Sequence, residues 1–107
     1  HERIGHAPER IRDIPDRWLS YAQLCDMPER GVITNPDEYF MDAIDGRLAP
    51  GEGSIPVAEM VKALPAYLPI SLEIRSLYYR ERYPDPVERA RVILERTRAF
   101  FAGMENQ

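Results

Sequence analysis

Two stretches of this chain alternate with a period of two and three others repeat apolar residues at helical spacing, a pattern that predicts strands separated by helices. Trp18 to Cys25 reads as the first strand, with Tyr21, Gln23 and Cys25 on one face and Ala22 and Leu24 on the other. Pro69 to Ile74 reads as the second. Ile70, Leu72 and Ile74 share one of its faces, Ser71 and Glu73 the opposite one. Ahead of the first strand, Arg10 to Ile14 suits a short helix with Ile11 and Ile14 on one side, bracketed by Pro8 and Pro15. Asn35-Pro36-Asp37-Glu38 supplies a capping residue, a proline at the first helical position and an acid at the third, which predicts a short helix through Ile44. Ser54 is placed to cap a further helix with Pro56 in its first turn. Val57, Met60, Val61 and Leu64 would be its buried stripe, and Pro65 and Pro69 its end. Asp85-Pro86-Val87-Glu88 is another capping signature, after which Val87, Ala90, Leu94, Thr97 and Phe101 keep one face for about four turns.

The resulting order is helix, strand, long connection with a small helix, helix, strand, loop, helix, which is that of a parallel βαβ unit. Two strands leave both sheet edges and much apolar surface open, so the segment reads as part of a larger α/β sheet or barrel. The ten prolines fall almost wholly at the predicted boundaries.

Composition narrows the partners. The 107 residues fit one small domain, and 44 % hydrophobic with 30 % charged residues is ordinary globular content. Acidic and basic residues are interspersed around a net charge of −4, without the basic stripe that neutralises phosphates, so nucleic acid is not an expected partner. No apolar run approaches the roughly 20 residues that span a bilayer, and no basic-then-apolar leader opens the sequence. The expectation is a soluble, cytoplasmic protein. Its single cysteine, Cys25, excludes an internal disulfide and reads as a small buried hydrophobe.

Candidate chemistry gathers at the strand ends. Gln23 and Glu73 both lie near C-terminal ends of strands on the same predicted face, and adjacent parallel strands are about 4.8 Å apart, so the two can converge on one ligand. An amide oxygen and a carboxylate are hard donors that suit Mg²⁺, Mn²⁺ or Co²⁺ better than a thiolate-type zinc site. The plainer alternatives are Glu73 paired with Arg75 or another neighbour, and Gln23 as a satisfied core amide. Gly51 and Gly53 permit a tight backbone path, and Arg47 before them can aim its forked donors at an anionic or carbonyl group. Arg47 is thus expected to bind substrate and not to hold the fold. Asp26, at the strand exit, suits a cap on the following turn or a position behind a ligand residue. His1 and His6 lack a matching Cys or acid spacing and are read as non-catalytic.

Taken in order, Gln23-Leu24-Cys25-Asp26, the Arg47-x-x-Pro50-Gly51-x-Gly53 loop and Ser71-Leu72-Glu73 resemble the last third of the sugar phosphate isomerase/epimerase superfamily, the xylose isomerase-like barrels. The likeness runs over nearly the whole chain. It implies an α/β fold in which residues 1–107 are the C-terminal portion, about strands seven and eight with their helices, of a (β/α)₈ TIM barrel, incomplete on its own. It implies a divalent metal (Mn, Mg or Co, with Zn possible) held by Glu, Asp, His and Glu from four successive strands. The fourth ligand falls on Glu73. The third falls on Gln23, where most members have His and some dehydroshikimate dehydratases have Gln. The family's substrate-binding arginine falls on Arg47. The first two ligands would lie upstream of His1, and Arg3-x-Gly5-x-x-Pro8 resembles the loop after the strand that carries the second. The implied activity is a metal-dependent isomerase or epimerase acting on a small sugar or sugar-phosphate-like polyhydroxy carbonyl compound through an enediolate, with Glu73 moving the proton. Alternatives are a lyase of the same superfamily, of the 3-dehydroshikimate or inosose dehydratase kind, and a non-catalytic α/β binding fragment. The implied partners are the small-molecule substrate, the remainder of the barrel and a second copy in a homo-oligomer.

Overall fold

Strand pairing is shorter than the alternation suggests. In the computed structural model, which describes residues 7–29 and 33–105, β1 (Ala22–Leu24) and β2 (Ile70–Leu72) form a two-stranded parallel sheet. Ala22 lies opposite Ile70, Gln23 opposite Ser71 and Leu24 opposite Leu72. The ladder is extended by Ala22 N–H donating to Pro69 O at 3.0 Å and Glu73 N–H to Leu24 O at 3.3 Å. Trp18 is not in the strand. Pro15 opens a 3₁₀ turn, Asp16–Trp18, in which Trp18 N–H donates to Pro15 O, and the indole stands 69 % exposed. Ahead of it, Pro8–Asp13 is a 3₁₀ helix where a helix over Arg10 to Ile14 was expected. Ile11 is buried while Ile14, just past its end, is exposed.

Between the strands run α1 (Pro36–Asp45) and α2 (Val57–Ala63). The Asn35 side chain accepts the Asp37 N–H at 2.8 Å, so α1 starts where its capping signature lies. α2 starts after Pro56, without a side-chain cap. Ser54 is occupied elsewhere, its hydroxyl and its N–H both donating to Met27 O, at 3.5 and 2.9 Å. Within α2 only Val57 and Ala63 are buried, and Met60, Val61 and Leu64 are half-buried.

After β2 comes a helix that periodicity did not announce, α3 (Leu77–Arg82), opened by Ser76 accepting the Tyr79 N–H at 3.2 Å. α4 (Pro86–Glu105) follows, with Asp85 taking the Val87 and Glu88 N–H groups. Its inward face is only partly the expected stripe: Thr97 is buried and Phe101 half-buried as expected, but Val87 is 76 % and Leu94 42 % exposed and Ala90 is exposed, while Val92 and Ile93, outside the stripe, are buried. The partner surface decides this. Val92 and Ile93 join Ala49 and Tyr79 in the core, with Leu72, Ile74 and Tyr83 packed around them.

α4 thus covers the Leu72/Ile74 side of β2, and Gln23, Ser71 and Glu73 on the other face of the sheet are exposed. Residues 46–48 cross the C-terminal ends of both strands. Leu48 and Asp26 exchange backbone hydrogen bonds at 2.8 Å, and Arg47 N–H donates to Arg75 O at 2.9 Å. Among the described residues no helix is long and apolar enough to cross a membrane.

Candidate functional site

Past the C-terminal ends of β1 and β2 lies a cavity of about 340 Å³ lined by Gln23, Cys25, Arg47, Glu73 and Arg75, with Leu24 and Ala43 behind them. The parallel register explains the grouping. Gln23 faces Ser71, and one period further on each strand Cys25 and Glu73 follow on the same side. Three of the residues singled out from sequence, Gln23, Glu73 and Arg47, therefore share one cavity. The side chains of Glu73 and Arg75 make no hydrogen bond or ion pair with each other or with any other described residue, so the simple Glu73–Arg75 pair is not formed.

Asp26 is not on this lining. It is fully buried, and its carboxylate organises the neighbouring loop. Oδ1 accepts the N–H groups of Met27 at 2.8 Å and Ile55 at 3.1 Å, and Oδ2 accepts those of Gly51 at 2.9 Å and Gly53 at 3.0 Å. Sequence reasoning placed Asp26 as a cap on its own turn or behind a ligand. Three of its four donors instead come from the loop that follows Arg47. Glycine is required there on two counts. Gly51 has φ +88°, and a Cβ on it would meet the Phe100 ring at 2.6 Å, while a Cβ on Gly53 would collide with the Met27 carbonyl.

The loop is gripped from its other side by Glu52. Its carboxylate accepts the Ala49 N–H at 3.0 Å, the Tyr79 hydroxyl and Arg96 Nη1 at 3.1 Å. Arg96 also donates to the hydroxyls of Tyr79 at 2.9 Å and Tyr83 at 3.3 Å. Burial, and then the bond to Glu52, push the Tyr79 phenol up to about 12. The bond to Tyr79 is the first cause raising Arg96. None of this network was legible beforehand, because Glu52, Tyr79 and Arg96 sit on three elements far apart in sequence.

Arg47 differs from its expectation as a residue free for substrate. Its Nη1 lies 3.4 Å from Asp42 Oδ2, with Asp42 only 1 % exposed, and the same nitrogen rests against Met27 Sδ. Arg47 therefore holds α1 to the strand ends as well as facing the cavity. Cys25 is half-buried on the lining and not deep in a core. Burial pushes its thiol up, with the Arg47 guanidinium opposing.

Gln23 and Glu73 offer at most three oxygen donors between them, and hard divalent cations take about six. Among the described residues no three or more His, Cys, Asp or Glu are grouped so that they could hold a metal ion by themselves. The pair fits a hard cation as part of a coordination sphere and not as the whole of one. His1, His6, Arg3 and Gly5 lie outside the described residues. Comparison of the chain with protein-family models, with curated proteins and with solved structures found no match.

Proposed function

We propose that this chain supplies about strands seven and eight, with their helices, of a (β/α)₈ barrel of the xylose isomerase-like kind, and that Gln23 and Glu73 are two of four ligands to one divalent cation. The reaction proposed is isomerisation or epimerisation of a small polyhydroxylated carbonyl compound. One observation carries the reading: an amide and a carboxylate end adjacent parallel strands on one face and line a single cavity with Arg47. Gln23, standing where most members of the family it resembles have His, favours the lyase branch as the second reading.

A bound cation would supply Lewis-acid polarisation of a substrate oxygen. Glu73 is the group of this chain that takes the proton from the adjacent carbon and returns it, being open to the cavity and uncommitted to any ion pair among the described residues. Arg47, steadied by Asp42, donates to a substrate oxygen from the crossing segment.

Mn²⁺ titration of the complete protein, followed by electron paramagnetic resonance, tests the assignment. Glu73→Ala should abolish the tight site and Glu73→Gln should remove most turnover. Gln23→His should keep the metal and raise affinity for softer ions. Unchanged stoichiometry and affinity in Glu73→Ala would remove the pair from the metal site.

A further inference from the structure

We propose that the substrate carries an oxyanion, a carboxylate or a phosphate, and that Arg75 binds it. The inference rests on reading the cavity as the reaction site, and it concerns a residue that reading does not use. Charge on the lining is unequal. Glu73 is its one carboxylate, against two guanidiniums, Arg47 and Arg75. The charge on Arg47 is answered by Asp42 from behind the cavity. Arg75 has no such answer, since its side chain makes no hydrogen bond or ion pair with a described residue.

Its position is set by backbone. Arg47 N–H donates to Arg75 O at 2.9 Å, and Gly46 and Ser76 form an antiparallel bridge beside it. Ser76 is then fixed as the cap of α3. Arg75 is therefore held between a bridged residue and the ladder-bonded Glu73, and is not on a free loop. A guanidinium presents a planar fork that matches carboxylate and phosphate oxygens pairwise. A neutral polyol offers hydroxyls but no charge to meet Arg75. A cation bound by Gln23 and Glu73 would engage the carboxylate of Glu73 and leave Arg75 with a greater need of an anion.

Isothermal titration of the complete protein with three ligands that share one carbon chain separates the possibilities: ribitol, ribonate and ribitol 5-phosphate. At least one of the two anions should bind about tenfold or more tightly than ribitol. Arg75→Ala should abolish that preference while Mn²⁺ affinity and ribitol binding stay as they were, and Arg75→Lys should restore part of it. Preference for ribonate assigns a carboxylate; preference for ribitol 5-phosphate assigns a phosphate. Equal affinity for all three, failure of both anions to bind, or an anion preference that survives Arg75→Ala would each overturn the proposal. A metal site untouched by Glu73→Ala would refute the catalytic reading alone, because the anion preference and its dependence on Arg75 are measured separately.

Discussion

At the scale of single residues, the side chains that shape the site are those that satisfy buried backbone. Asp26 accepts four N–H groups with no access to water, and a buried donor left unsatisfied costs about 1–3 kcal/mol. Asp26→Ala should therefore lower unfolding stability by at least about 3 kcal/mol in urea, and the Gly51 and Gly53 amides should lose their hydrogen-exchange protection. Retained protection would mean that the loop closes without the carboxylate. Two glycines give a paired contrast. Gly53→Ala forces a Cβ into the Met27 carbonyl and should destabilise, whereas Gly103, in α4 with nothing within 4 Å of a built Cβ, should gain about 0.5–1 kcal/mol on changing to alanine. Arg47→Ala removes one charged partner of Asp42, which is 1 % exposed. A loss of about 1–3 kcal/mol is expected by denaturant titration. A change below about 0.5 kcal/mol would return Arg47 to a purely substrate-facing role.

At the scale of elements, the cavity is held by contacts between pieces that local pattern does not connect. The Glu52–Tyr79–Arg96 network ties the glycine loop to α3 and α4. Because the Tyr79 phenol is raised from 10.0 to about 12, the folded state holds that proton more tightly than the unfolded chain does. The stability this contributes is whole below pH 10 and is lost as the pH rises through 12. Denaturant midpoints compared at about pH 9 and about pH 11.5 should fall more in the wild type than in Tyr79→Phe; equal falls would disconnect the phenol from stability. What was legible at this scale followed from mechanism. The Asn35 and Asp85 caps gave the starts of α1 and α4 because a capping side chain needs only its own neighbours. The buried face of α4 was right at Thr97 but misplaced in its first half, since spacing alone admits both Val87, Ala90 and Leu94 and the neighbouring Val92 and Ile93, and only Leu72, Ile74 and Tyr79 choose between them. α3 was missed because six residues hold too little periodicity to register. The facing of Gln23 and Glu73 was legible from a two-residue period, whereas the Arg47–Asp42 pair was not, because it joins a loop to the buried side of a helix.

At the scale of the whole molecule, the described chain holds a sheet of two short strands. Trp18, Tyr21, Phe40, Tyr67 and Val87 remain largely in solvent. A two-stranded sheet is marginal by itself, and further strands complete such a core. A barrel of the kind proposed takes about 250 residues to close. Alternation overstated strand length because it reports which face a residue prefers, not how far a partner backbone extends. Trp18 alternates correctly but sits in a 3₁₀ turn. The central claim, that these strands belong to a larger barrel whose ends carry the site, is tested most directly by hydrogen exchange at the two ladder-extending amides, Ala22 and Glu73. In the isolated 107-residue chain both should exchange at nearly unprotected rates, and in the complete protein both should be protected. Protection of both amides in the isolated chain, to the level of one cooperative unfolding transition, would contradict the barrel and leave a free-standing α/β module.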